Sequence, residues 1–261
     1  MENFTFLHED YVQTTTSLTV TSGTNTVANL IDRNSDSRWI TSGYAAGTSV
    51  TITYTVPGAA NTTVSRFFFR NTNFGQFRVF YDGVTANVFT PNISAASNTA
   101  SHTYFEVAAQ TVSSITLQID TTYPLNEEKA CGEFYVGGVY VDFPRNPSHD
   151  NFNPILYRKG FDLEMADGGM VGIYIDQKYR AELELGFVSE TNRDLFRACY
   201  DAHKPFYFIP YPINGFTTTS QWNGEASEVI WTGDFDFLRF SSNVYGNGYA
   251  GFISVAETPD R

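Results

Sequence analysis

Alternation with a period of two governs the first half of this chain. Val50-Thr-Ile-Thr-Tyr-Thr-Val56 alternates apolar and hydroxyl-bearing residues without a break, and Phe77-Arg-Val-Phe-Tyr81 and Ser114-Ile-Thr-Leu-Gln-Ile119 repeat the pattern. Residues two apart share one face of a strand, so such segments bury one face and wet the other only as β-structure. Phe134-Tyr-Val-Gly-Gly-Val-Tyr-Val141 closes the series. Turn formers lie between the segments: Pro57-Gly58, Asp82-Gly83 and the Asn/Ser/Ala-rich stretch Pro91–Ser101. No amphipathic helix interrupts them. Short strands at this spacing predict a β-sandwich or jelly roll over residues 11–143. A chain with 16% aromatic and only 17% charged residues fits that class better than a helical one.

Residues 1–10 read as an N-terminal arm, and residues 144–154 as a connector. The stretch from Asp142 to Pro154 holds three prolines in thirteen positions, which stiffen a chain and interrupt sheet ladders. Strands then resume over residues 155–261. In Arg180-Ala-Glu-Leu-Glu-Leu-Gly-Phe187, Ala181, Leu183, Leu185 and Phe187 are expected on one face and Glu182 and Glu184 on the other. One helix is expected over 191–203, with Ser189 or Thr191 as cap, an inward stripe of Leu195, Phe196 and Cys199, and Pro205 as terminator. Phe206–Ile209, Val229–Trp231, Phe235–Phe240 and Gly251–Val255 complete a second sheet. The expected fold class is all-β in two domains: a jelly roll, then a β-rich domain with one covering helix.

Sixteen basic against twenty-eight acidic residues leave a net charge of −12. With no local basic stripe, such a chain is repelled by nucleic acid and by anionic membrane surfaces. No apolar run approaches the roughly 20 residues of a membrane span, and the first ten residues do not read as a signal peptide. Cys131 and Cys199 fall in different domains and read as two buried free thiols, as suits a reducing cytoplasm.

Motifs for catalysis are thin. Gly246-Asn-Gly-Tyr-Ala-Gly251 matches G-x-G-x-x-G, but a strand follows it where a dinucleotide site needs a helix, so it reads as a glycine-rich hairpin turn. Cys199 and His203 stand four apart on the helix, with no third group to orient the imidazole. The four histidines never reach metal-ligand spacing with cysteine. Asp234 and Asp236 share one face of a strand, the pattern of a solvated sheet face. A non-enzyme is expected. Sugar sites place flat aromatic rings against pyranose faces, and the loop aromatics Tyr44, Phe74 and Tyr123 are candidates for that role.

The segment Asn29-Leu-Ile-Asp-Arg-Asn-Ser-Asp-Ser-Arg-Trp-Ile-Thr-Ser42 resembles the signature of discoidin-type (coagulation-factor C-type, galactose-binding-like) jelly rolls. Asp32, Asn34, Trp39 and Ser42 match it, and Ser37 stands where threonine is usual. Phe67–Gly83 and Gly132–Gly137 look like that family's central and closing strands, so the likeness covers residues 11–143. It implies that Trp39 anchors the core beneath the loop. It also implies a structural calcium held by Asp32, Asn34, Ser37 and Glu133, a set of hard oxygen donors. An Asx-turn that tightens the loop without metal explains the same residues, and both readings stay open.

The second half is similar to a module of bacteriophage tail and virion proteins, on Tyr179–Phe196 and on His203-Lys-Pro-Phe-Tyr-Phe-Ile-Pro-Tyr-Pro212. That resemblance implies a structural component of a tail or baseplate, located in the virion. Such a component contacts other virion proteins and forms a homo-oligomer or symmetric array. Phe206, Tyr211, Trp222 and Trp231 are the expected interface residues, being of the types that dominate protein interfaces. The alternative is an adhesin that recognises host glycans through the jelly-roll loops.

Overall fold

The computed structural model describes residues 4–8, 10–34, 37–42, 48–59, 61–125, 127–144, 152–164, 170–210, 226–242 and 246–258. The strands of the first half are β1 (Thr5–Leu7), β2 (Leu18–Val20), β3 (Trp39–Ile40), β4 (Val50–Thr55), β5 (Thr62–Arg70), β6 (Phe74–Tyr81), β7 (Ser94–Ala95), β8 (Thr103–Val112), β9 (Ser114–Thr122), β10 (Ala130–Cys131), β11 (Glu133–Gly137) and β12 (Val139–Asp142). The second half holds β13 (Phe152–Glu164), β14 (Met170–Val188), α1 (Glu190–Asp201), β15 (Phe206–Ile209), β16 (Ser227–Ser242) and β17 (Gly246–Glu257). The fold is all-β with one covering helix, as the alternation predicts.

A five-stranded antiparallel sheet, β2-β4-β9-β6-β7, faces a three-stranded one, β11-β5-β8, to form the jelly roll. The chain passes repeatedly between the two sheets. Their core takes Ile52 and Tyr54 from β4, Ile115, Leu117 and Ile119 from β9, and Phe67 and Phe69 from β5. Trp39 is wholly buried there and donates from Nε1 to the Ser22 carbonyl at 3.1 Å, tying β3 to the turn that follows β2.

The two halves meet in a way the connector does not suggest. Residues 4–7 are no arm: β1 lies inside a seven-stranded sheet, between β12 and β15, in the order β12-β1-β15-β16-β17-β14-β13. β12 belongs to this sheet too, so the change of sheet falls between Gly137 and Val139 rather than after Phe143. β13 begins at Phe152, inside the expected connector; its Pro154 suits an edge strand, where no ladder donor is needed.

The three-stranded sheet is buried on both faces. Phe67, Phe69, Phe134 and Phe105 point into the jelly-roll core, while Phe68, Tyr135 and Tyr104 point the other way, onto Leu7, Tyr207 and Ile209 of the seven-stranded sheet. At this seam Phe68 stacks parallel on Tyr135 with centroids 4.4 Å apart, and Tyr207 meets both rings edge-on. Charge closes the rim. Arg66 binds Asp142 at 2.7 Å, and Arg70 donates to Glu133 at 2.9 Å and to the Ala226 carbonyl at 3.0 Å. Arg33, in left-handed backbone at φ 61°, leaves its own loop to pair with Glu228 of β16. α1 covers the opposite face of the seven-stranded sheet through Phe196 and Cys199, so the layers run sheet, sheet, sheet, helix.

Asp10 is buried beside this seam, accepting from the Val12 and Val136 amides at 2.9 and 3.2 Å. Burial raises its carboxyl well above the ordinary range, against those two amides, with Glu133 adding to the rise and Arg33 opposing it. A raised folded pKa gives stability that is present below the unfolded value and lost as pH rises through the folded one. Asp10→Asn keeps the acceptor and removes the titration. Its stability relative to the parent should therefore grow as pH rises from about 4 to 7. Thermal melts across that range check this, and a pH-independent difference would contradict it.

Two details of the second half depart from expectation. Phe187 is 52% exposed, because a bulge at Gly186–Phe187, with Phe187 at φ 59°, adds a residue and hands the inward position to Val188. Leu195 is also exposed; the inward stripe of α1 consists of Phe196 and Cys199. Ser189 is the cap, accepting from the Asn192 amide at 3.2 Å.

Candidate functional site

Alternation along β4 and β9 sends Ile52, Tyr54, Ile115 and Leu117 inward, and therefore Thr53, Thr55, Ser114 and Thr116 outward. Thr53 opposes Thr116 with hydroxyls 3.1 Å apart, and Thr55 opposes Ser114. Where these strands end, the turn Pro57–Gly58 and the Thr15–Ser17 turn rise on either side. Together they enclose an open groove of about 530 Å³. Thr16, Ser17, Thr53, Thr55, Ser113 and Ser114 supply hydroxyls to it, and Val56, Pro57 and Gly58 an apolar margin.

Local hydrogen bonds fix this frame. Ser17 donates to the Thr14 carbonyl at 2.7 Å, and the Val56 amide to the Ser113 carbonyl at 2.9 Å. Asp82 accepts from the Ser113 hydroxyl and amide, both at 2.7 Å, and from the Ser114 amide at 3.2 Å. The Ser113 hydroxyl is the main reason the Asp82 carboxyl lies below its ordinary range. No lining residue carries a formal charge. The volume falls within the roughly 300–1,000 Å³ usual for small-ligand sites. Hydroxyls beside a small apolar margin suit a neutral, hydroxyl-rich molecule; phosphate or carboxylate would find no counter-charge in the lining.

The loop that resembles the discoidin signature forms an Asx-turn. Asp32 accepts from the Asn34 amide at 3.0 Å and from the Ser37 hydroxyl at 2.5 Å, and Ser37 also donates to the Asn34 carbonyl. Glu133, the fourth expected calcium ligand, is engaged elsewhere: it accepts from Arg70 and, at 2.7 Å, from the Tyr207 hydroxyl. The four therefore do not converge, because Glu133 sits on the seam face of β11. Among the described residues no group of three or more His, Cys, Asp or Glu side chains is placed to hold a metal. The neighbouring arginines also leave the loop, Arg33 for Glu228 and Arg38 for the Asn71 side chain.

Of the expected sugar-binding rings, Phe74 is a correction: at 1% exposure it packs on Phe69 and Phe77 in the core. Tyr44 lies outside the described residues. Tyr123 is 54% exposed, but just past the far end of β9 from the groove, nine residues from Ser114 or about 30 Å along the strand. Sequence reasoning missed the groove because it sought aromatic rings. The signal lay in the hydroxyl residues at the outward positions of Val50–Val56 and in the Ser113–Ser114 turn.

Among the expected interface residues, Phe206 is buried under α1 and packs on Phe6 at 4.7 Å. Trp231 is half-buried between Tyr200 and Phe235 on that same face. Both belong to the core beneath α1. Tyr211 and Trp222 lie outside the described residues. Burial pushes the Cys199 thiol up to about 12, which removes it as a nucleophile at neutral pH. The glycine motif opens β17 instead of forming a turn. Gly248 and Gly251 sit opposite Phe240 and Phe237, whose rings lie where a Cβ would stand.

No known protein family matches this chain, and no curated protein does. Several solved structures are similar over about half of it. One is chitosan-binding module 1 of a chitosanase/glucanase from Paenibacillus sp. IK-5, at 16% identity and a TM-score of 0.39, covering 50% of this chain and 100% of that one. Another is CpGH89CBM32-5 from Clostridium perfringens, solved with GalNAc-β-1,3-galactose, at 15% identity and a TM-score of 0.36, covering 46% and 94%. A Ruminococcus gnavus GH29 fucosidase is matched at 14% identity and a TM-score of 0.37, over 47% of this chain and 25% of its own.

Proposed function

We propose that the protein is a non-catalytic glycan-binding protein whose jelly-roll half takes up a neutral saccharide in the hydroxyl-lined groove. The observation that carries this reading is the lining: six hydroxyl side chains on a fixed frame beside Val56 and Pro57, with no charged group among them. Titration of the whole protein with chitotriose and with GalNAc-β-1,3-galactose tests it. Saturable binding to at least one is expected, weakened at least about tenfold, or about 1.4 kcal/mol, by Thr55→Val with Ser114→Ala at an unchanged melting temperature. Chelator should leave binding unaltered, since Glu133 is held at the seam. Binding lost with Tyr123→Ala but not with the groove pair would move the site to the other end of the jelly roll. Absence of binding to neutral oligosaccharides would end the reading.

A second reading gives the seven-stranded sheet an assembly role, as the resemblance to tail proteins implies. It is favoured by the exposed apolar side chains Ile230, Leu238 and Phe252 on that sheet. In that case the protein is an attachment component, with glycan on one half and a protein partner on the other.

A further inference from the structure

The jelly roll covers only part of the face of the seven-stranded sheet opposite α1. It packs over β1 and β15 and reaches β16 at Glu228, where Arg33 ends. Beyond that point no described residue of the jelly roll packs on the same face across β14, β17 and β16. Inward Leu183, Leu185, Ile253 and Phe237 fix the alternation, so Glu184, Phe252 and Asp236 point outward. These three form one cross-strand row, since Glu184 opposes Phe252 and Phe252 opposes Asp236. Phe252 is 57% exposed, and Leu238, in the next row on the same face, is 70% exposed. Two described cations of β14 share this face, both towards its far end: Arg180, paired with Glu182 at 3.5 Å, and Lys178.

From this row we infer a docking site for a basic amphipathic helix of another protein, lying across β14, β17 and β16. Its outer carboxylates are two strand spacings apart, about 10 Å. Lysines at i and i+7 of a helix are separated by about 10.5 Å along its axis, and an apolar residue at i+3 or i+4 falls between them on the same side. Cation, apolar group, cation is the complement of Glu184, Phe252, Asp236. An acidic helix meets repulsion at both flanks, and an apolar helix without lysines leaves both carboxylates desolvated and unpaired.

The test uses the full chain and a labelled helical peptide with Lys at i and i+7, Leu at i+3 and i+4, and Ala and Gln elsewhere. Controls are the same composition scrambled and a version with Glu for Lys. Saturable binding of the first peptide alone is expected. Phe252→Ser should weaken it at least tenfold, and Glu184→Gln with Asp236→Asn should weaken it as much and flatten its salt dependence. Leu125→Ser, at an exposed leucine of the jelly roll, should leave it unchanged. Should Phe252→Ser fail to fold, Glu184→Lys reads the same row, with weaker Lys-peptide binding expected. Equal binding of the scrambled peptide, or indifference to the row variants, overturns the proposal. So does a dimer of the free protein that Phe252→Ser makes monomeric, which would assign the face to a second copy. Saccharide binding in the groove is independent of every one of these outcomes.

Discussion

Phe68→Ala is expected to lower the melting temperature by roughly 6–20 °C, the equivalent of about 3–5 kcal/mol in a protein of this size. The ring is fully buried in the seam, parallel to Tyr135 at 4.4 Å and edge-on to Tyr207 at 5.3 Å. Its neighbours Leu7, Tyr104 and Ile209 come from three different strands in two sheets, so no one element can shift to fill the space. The cavity also lies between the halves. Calorimetry of the parent should give one transition, and of the variant a broadened or split one. A loss below about 1 kcal/mol, the level of an ordinary surface change, would mean that the halves share no core.

Arg33→Ala should cost about as much, for an electrostatic reason. The side chains of Arg33 and Glu228 are only 10% and 5% exposed, and removing one partner of a buried pair typically costs about 3–5 kcal/mol because the other charge stays behind without its counter-charge. The left-handed backbone of Arg33 is a conformation that costs arginine of order 1 kcal/mol, and the ion pair holds it there. Glu228 keeps one other partner, the Thr258 hydroxyl at 2.7 Å. Two measurements identify this cause. Adding Glu228→Gln should recover much of the deficit. Replacing both residues by methionine should return stability close to the parent's. A deficit that is not relieved by Glu228→Gln would point to lost packing of the arginine stem instead.

Strands whose faces differ in polarity were legible from residue order alone: β4, β6 and β9 follow the alternation, and α1 follows its cap and its Phe196–Cys199 stripe. The continuous run Phe67-Phe-Phe69 also held information, since three apolar residues in a row within a strand require cover on both sides. That cover is the seven-stranded sheet, contributed by residues far off in the chain. β1 was not legible, because three residues are too few for a period and their partners lie some 130 and 200 positions away. Phe187 misled for a local reason, a bulge that alternation alone does not reveal. Glu133 matched a calcium ligand by position, yet β11 turns it towards Arg70 and Tyr207. The groove and the Phe252 row share one difficulty: both use outward positions, which in a sequence look like any wetted face.

The place of β1 also sets a timetable for synthesis. Its residues are made before those of every other strand of its sheet, and one of its two neighbouring strands, β15, emerges about 200 residues later. The jelly roll can close once β11 has emerged. Its outer Phe68–Tyr104–Tyr135 surface then lacks the cover of Tyr207 and Ile209, and β1 has β12 as its one neighbour, until Phe206–Ile209 arrives. At about 5–20 residues per second, the roughly seventy residues from β11 to β15 take roughly 4–14 seconds, a long exposure for an aromatic face and a strand paired on one edge. Expression should therefore improve with holdase chaperones, and chains cut short before β15 should be the aggregating species.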